Sequence, residues 1–211
     1  MNPGNSVVHI VDDDRALRES LCFLIESADL PARAFESAAQ FLDACDAAST
    51  GCLLLDIRMP EMNGLELLAA LPERAIHLPV IMITGHGDVP MAVRAMKDGA
   101  FDFFEKPFND EALLACVRRA IDFDQKQRRR HDQREAVRAR LSRLTSRERQ
   151  VLEGVIRGRL NKQIAEELDL SEKTIESHRA NLMRKMQAEN VVDLVKLIVD
   201  GNHLAELTAS A

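Results

Sequence analysis

Along residues 6–123, short apolar runs bounded by turn-forming residues alternate with amphipathic stretches. The runs at 7–11, 32–35, 52–55, 80–83 and 101–104 predict strands, and the stretches at 15–27, 38–44, 64–71, 89–97 and 110–123 predict helices. Five such strand–helix units predict an α/β domain, a parallel sheet wrapped by helices. The segment DQKQRRRHDQREAVRARLSRL that follows is dense in charge and free of Pro and Gly, so nothing stops the preceding helix, and a helical linker is expected over 124–140. From Thr145 to about Leu204 the periodicity is helical throughout and predicts four short helices, a separate all-α domain over 141–203.

Charge divides the chain at the same place. Residues 1–124 hold 10 Lys and Arg against 21 Asp and Glu, whereas residues 125–211 hold 18 against 13. The overall −6 therefore hides an acidic first half and a basic second half, the latter being the electrostatic footprint of a protein that meets phosphate backbones. No apolar run approaches the roughly 20 residues needed to span a bilayer, and the first residues lack a signal-peptide pattern, so a cytoplasmic protein without membrane partners is expected. Cys22, Cys45, Cys52 and Cys116 form no CxxC pair and read as small hydrophobes.

Chemistry gathers at the carboxyl ends of four predicted strands. Asp12 and Asp13 follow the first, Asp56 the third, Thr84 the fourth and Lys106 the fifth, while the second supplies nothing comparable. In an open doubly wound sheet of order 2-1-3-4-5 these ends form one crevice beside the switch point, and strand two lies at an edge. Three carboxylates in one crevice call for a neutralising cation, and oxygen donors suit Mg²⁺. Lys106 and Thr84 offer a positive charge and a hydroxyl donor, the groups that stabilise a transferring phosphoryl unit, with Asp56 as nucleophile. Singly, each residue reads more readily as a turn, cap, loop or strand former than as a functional group; jointly, the four strand ends point to a site. A magnesium-dependent phosphatase or phosphotransferase using Asp56 on small substrates is one competing reading, but DIR stands where such an enzyme wants a further Asp, and no insertion supplies a cap; a purely protein-binding adaptor is another, and it leaves the basic second half unexplained.

HIVDDD, LLLDIRMPEMNG, VIMITGHGDVPMAVRAMKDGA and DFFEKPF resemble the receiver domain of bacterial two-component systems over residues 6–123. That resemblance implies Asp56 as phosphoacceptor, with Asp13, Asp56 and the Arg58 backbone carbonyl around Mg²⁺ and Asp12 as an acidic neighbour. It also implies Thr84 as phosphoryl sensor with Lys106, Phe103 as switch aromatic, and a cis Lys106–Pro107 bond. The donor would be a sensor histidine kinase, and the only catalysis the receiver's own phosphorylation and dephosphorylation. His86, in a glycine-bounded loop, is expected to face solvent; its alternative role is to tune phosphoryl lifetime.

In the basic half, Thr145 with Glu148 predicts a capping box and Ser171 an N-cap, which gives helix, short turn and helix between Asn161 and Met186. This is a helix-turn-helix arrangement, whose second helix enters the major groove of double-stranded DNA. On a helical wheel Ile175, Leu182, Met183 and Met186 share one face, and Lys173, Ser177, Ala180, Asn181 and Arg184 the other. Ser177 and Ala180 allow close approach to base edges, and Glu176 is placed to accept from a cytosine amine. Lys173, Thr174, His178 and Arg184 suit phosphate contacts. Arg179 falls beside the apolar stripe, and its stem is expected to snorkel outward to a phosphate. Leu144-Thr145-xx-Glu148, Asn161-Lys162-x-Ile164-Ala165 and Thr174-Ile175-xx-His178 resemble the LuxR/NarL-type DNA-binding domain, in which Asn161, Lys162 and Gln163 match the segment that contacts the backbone. The whole chain resembles FixJ-type response regulators. A phosphorylation-dependent homodimer on paired half-sites, and RNA polymerase, are the further partners expected.

Overall fold

The structure is a computed structural model and describes residues 6–85 and 89–200; His86 and residues 201–203 lie outside the described residues. The chain divides into two compact units, residues 1–127 and 128–211. In the first, β1 (Val7–Val11), β2 (Ala32–Phe35), β3 (Gly51–Asp56), β4 (Val80–Thr84) and β5 (Asp102–Glu105) form a sheet of order β2-β1-β3-β4-β5. Every neighbouring pair is parallel. The helices are α1 (Arg15–Ser27), α2 (Ala38–Ala44), α3 (Gly64–Ala70) and α4 (Val89–Lys97), followed by α5 (Asp110–Leu141).

The near-continuous apolar strands are explained by burial on both faces. Val11, Leu53, Leu55, Val80 and Met82 pack with α2, α3 and α4 residues on one face, while Val8, Ile10, Cys52, Leu54, Ile81 and Ile83 pack with α1 and α5 on the other. All six residues of β3 are buried, as the central strand requires. Asp14, Ser37 and Asn63 cap α1, α2 and α3 with their side-chain oxygens, satisfying first-turn amides that have no carbonyl upstream.

Strand ends differ by a residue from the apolar runs. β3 and β4 take in Asp56 and Thr84, because ladder pairing continues through them: Asp56 pairs with Ile83 and Thr84 with Glu105. Leu71 follows α3, and Pro72 opens a single 3-10 turn, Pro72–Arg74, since proline brings a fixed φ and no amide hydrogen. α5 does not end near residue 123; lacking any breaker, it runs on to Leu141.

The second unit contains α6 (Ser146–Ile156), α7 (Asn161–Leu168), α8 (Glu172–Met186) and α9 (Val191–Asp200). Its core joins Val151, Leu152, Ile164, Ile175, Leu182, Met186, Leu194 and Ile198 with Val137 and Leu141 from the last turns of α5. At the other end of the charged segment, Asp124 is 2% exposed and accepts a hydrogen bond from Gly51 N at 3.0 Å. Both ends of the segment are thus built into packed structure. No helix among the described residues is long and apolar enough to cross a membrane. The four cysteines are free, and burial raises the thiol pKa of each, that of Cys116 to about 11.

Candidate functional site

β1, β3, β4 and β5 deliver their carboxyl ends side by side. Asp12 follows β1, Asp56 ends β3, Thr84 ends β4 and Lys106 follows β5, with Asp12, Asp56 and Thr84 all buried. Lys106 Nζ donates to Asp12 Oδ2 at 2.8 Å and to Asp56 Oδ1 at 2.6 Å. The remaining oxygens are held by backbone: Asp14 N donates to Asp12 Oδ1 at 2.8 Å, and Arg58 N to Asp56 Oδ2 at 2.6 Å. Two buried carboxylates thus share one ammonium group.

The surrounding backbone fixes this arrangement. Arg18 Nη1 donates to the Asp12 carbonyl at 2.7 Å, and Lys106 N to the Thr84 carbonyl at 2.7 Å. The Lys106–Pro107 peptide bond is cis, as the resemblance implied. Gly64, at the start of α3, comes so close that a Cβ there would lie 2.2 Å from the Asp56 carbonyl oxygen. Only glycine lets the β3–α3 loop fold back this tightly on the strand that carries Asp56.

Burial pushes the Asp56 pKa up, and the Asp12 charge adds to the rise; Lys106 and the Arg58 amide oppose it without cancelling it. For Lys106, burial pulls downward but hydrogen bonds and charge attraction to Asp12 and Asp56 prevail, so its pKa rises. Lys106 is therefore a fixed cation at neutral pH. The Asp56 carboxylate lies against it, buried at the end of β3.

Of the residues singled out from sequence, Asp12, Asp56, Thr84 and Lys106 are brought to one crevice. Asp13 is exposed, and among the described residues no three His, Cys, Asp or Glu side chains are grouped to hold a metal ion. Of the three expected carboxylates, Asp12 and Asp56 contact Lys106 directly. The donor chemistry still fits a hard divalent cation: the side chains are oxygen ligands, and two carboxylates face one ammonium. Phe103 is half-buried and packs against the face of the core that α2, α3 and α4 cover.

The second unit presents a different kind of surface. Ile175, Leu182 and Met186 of α8 are buried and Met183 is half-buried, while Lys173, Glu176, Ser177, Ala180, Asn181 and Arg184 are exposed. Thr174 and His178 are half-buried. Ser171 Oγ caps Thr174 N at 3.1 Å, and its hydroxyl lies 2.8 Å from Thr174 Oγ1. Arg184 reaches Asn181 Oδ1 at 3.1 Å, so these two polar side chains are organised on the exposed face. On α7, Asn161 is half-buried, and Lys162 and Gln163 are exposed. Gln163 Oε1 turns back to accept from Leu160 N at 2.9 Å.

Arg179 departs from expectation. Rather than extending outward alone, its Nη1 donates to Asn161 Oδ1 at 2.8 Å and ties α8 to the start of α7. Arg18, Gly64 and Asp124 were also missed from sequence. Asn63-Gly64 carried a turn signal, whereas the partners of Arg18 and Asp124 are set only by the fold.

Comparison with known proteins agrees with both halves. The response regulator receiver domain family matches residues 8–118, and the bacterial regulatory proteins of the luxR family match residues 142–198. The chain is 49% identical to the transcriptional regulatory protein FixJ of Azorhizobium caulinodans over 92% of each chain. It is 47% identical to the response regulator protein TmoT of Ectopseudomonas mendocina, over 93% of this chain and 90% of that one. Among solved structures, the response regulator StyR superposes with a TM-score of 0.85 at 40% identity, covering 92% of this chain and 98% of StyR. With an acidic crevice at the strand ends of one unit and an exposed helix-turn-helix in the other, the chain belongs to the FixJ-type two-component response regulators, transcription regulators that join a receiver domain to a LuxR-type DNA-binding domain.

Proposed function

We propose that Asp56 is the phosphoacceptor through which a sensor histidine kinase controls DNA binding by this protein. The observation that carries this reading is the convergence of Asp12, Asp56 and Lys106 within hydrogen-bond distance at the carboxyl ends of β1, β3 and β5. An Asp56 carboxylate oxygen attacks phosphorus, the phosphorus–nitrogen bond of the kinase phosphohistidine breaks, and the bonding pair leaves with the imidazole. Lys106 balances charge that spreads over the phosphoryl oxygens, and the Thr84 hydroxyl donates to one of them.

Asp12, Asp13, Asp56 and the Arg58 carbonyl are the residues that would hold Mg²⁺. When bound, Mg²⁺ supplies Lewis-acid neutralisation of the phosphoryl oxygens. Before phosphorylation Lys106 screens Asp12 from Asp56; afterwards Lys106 and Thr84 follow the phosphoryl group and shift the balance between two arrangements of α4 and β5. Phe103, on β5, would report that shift through its packing. Val93 and Met96 of α4, each 47% exposed, give this surface an apolar character suited to a phosphorylation-dependent homodimer.

Within the second unit, α8 would lie in the major groove, with Glu176, Ser177, Ala180 and Asn181 toward base edges and Lys173, Thr174, His178 and Arg184 toward phosphates. Asn161, Lys162 and Gln163 at the start of α7 would meet the adjacent backbone. The division of labour assigns residues 6–123 to phosphoryl chemistry and 141–203 to DNA, with 124–140 between them. The protein would act in the cytoplasm and engage RNA polymerase at the promoter.

Incubation with a small acyl phosphate and Mg²⁺, followed by intact-mass measurement and sedimentation, tests the reading. The expected result is one added phosphoryl group and a shift toward dimer, both lost in Asp56→Asn. An Asp56→Asn chain that still gains the phosphoryl mass would overturn it.

A further inference from the structure

The partner of Arg179 leads to a role for a residue that stands outside the expected DNA-contacting set. Arg179 sits on the recognition helix α8, four residues after the buried Ile175 and three before the buried Leu182. Its Cα therefore lies close to the helix's inner face, and its half-buried guanidinium needs a polar partner. Asn161 Oδ1 is that partner, at 2.8 Å.

The chemistry of this contact fixes the amide. A guanidinium has donors only, so the Asn161 carboxamide must present its oxygen to Arg179 and its NH₂ away from it. Asn161 is the first residue of α7, whose N-cap, Leu160, has no oxygen with which to satisfy the first-turn amides. The two side chains line a surface cavity of about 590 Å³ together with Arg159, Leu160, Lys162 and Glu172. We propose that Arg179 is a positioning residue for DNA-backbone binding: it locks the Asn161 side chain with its NH₂ presented to a phosphate beside the start of α7, without itself neutralising that phosphate.

This inference rests on the reading that α7 meets the DNA backbone, and one experiment separates the two. Phosphorylated full-length chain is titrated against a labelled mixed-sequence duplex at several salt concentrations, with thermal unfolding of each variant in parallel. Free rotation of Asn161 in Arg179→Ala must be frozen on binding, which weakens affinity on the order of tenfold. Because the group being positioned is neutral, the slope of log affinity against log salt stays at the wild-type value, whereas loss of a direct phosphate contact lowers it by about 0.9. Asn161→Ala weakens binding to a similar degree, and the double variant is no weaker than Asn161→Ala alone. Arg179→Lys, which keeps a donor and a folded domain where the alanine variant unfolds, restores part of the affinity in the presence of Asn161 and none in its absence. Multiplicative losses in the double variant, or a reduced salt slope, would show Arg179 to be an independent phosphate contact and overturn the inference. Wild-type binding by Asn161→Ala would overturn the positioning role and leave the α7 backbone reading to Lys162 and Gln163, whereas wild-type binding by a triple Asn161→Ala, Lys162→Ala, Gln163→Ala variant would remove that reading itself.

Discussion

Lys106 illustrates how one side chain can hold together a site that would otherwise repel itself. It is the shared hydrogen-bond donor to two buried carboxylates, so replacing it with Met leaves two like charges uncompensated. Lys106→Met is expected to lose about 3 kcal/mol of stability at neutral pH. The deficit narrows as pH falls toward the carboxylate range and Asp56 protonates; urea midpoints at both ends of that range check this, and equal midpoints for variant and wild type would refute it. His9 gives a second pH dependence. It is packed between Phe35 and Phe41, and burial lowers its pKa from 6.5 to about 4. The unfolded chain takes up a proton near pH 6.5 while the folded chain stays neutral, so the stability present above 6.5 is lost as pH falls toward about 4. The loss amounts to about 3 kcal/mol over that window and should be absent from His9→Leu; an unchanged acid slope in that variant would contradict it. These roles differ in how plainly they are written in the sequence. Asp12, Asp56, Thr84 and Lys106 were legible because each follows an apolar run, and the sheet order then dictates that they meet. The burial of His9 between two rings, and the grip of Arg18 on the Asp12 carbonyl, depend on packing across elements that periodicity does not encode.

At the scale of elements, the β3–α3 connection couples backbone closeness to chemistry. A Cβ at Gly64 would lie 2.2 Å from the Asp56 carbonyl oxygen, so Gly64→Ala must push the loop away from the strand that presents Asp56. It is expected to cost about 2 kcal/mol or more and to slow phosphorylation in chains that remain folded. Wild-type stability and phosphorylation rate together would show that the contact relaxes freely. The last turns of α5 supply a comparable test. Val137 and Leu141 are buried in the core of the second unit, and Arg140 Nη1 donates to the Met186 carbonyl at the end of α8 at 3.1 Å. A fragment beginning at Arg128 should therefore be more stable than one beginning at Ser142 by about 3 kcal/mol or more. Equal unfolding midpoints would refute this. Charge density and the lack of breakers made a helix legible here, but the strongly polar composition hid the two apolar side chains that anchor it.

For the whole molecule, the partition of charge anticipated a division of function that the two compact units repeat: acidic crevice in one, exposed polar recognition helix in the other. The α/β fold and its strand order followed from apolar runs and the placement of polar residues, and the second unit from helical periodicity and caps. Pairwise commitments such as Arg179 with Asn161 emerged only with the fold. The proposed switch is a rise in DNA affinity on phosphorylation of Asp56. Its most direct test is fluorescence anisotropy of a labelled promoter duplex titrated with the full chain, with and without an acyl phosphate and Mg²⁺, for the wild type and Asp56→Asn. The wild type should gain at least tenfold in affinity on phosphodonor addition, about 1.4 kcal/mol, and Asp56→Asn should gain none. Equal affinities with and without phosphodonor in a wild-type chain shown by mass to be phosphorylated would contradict it.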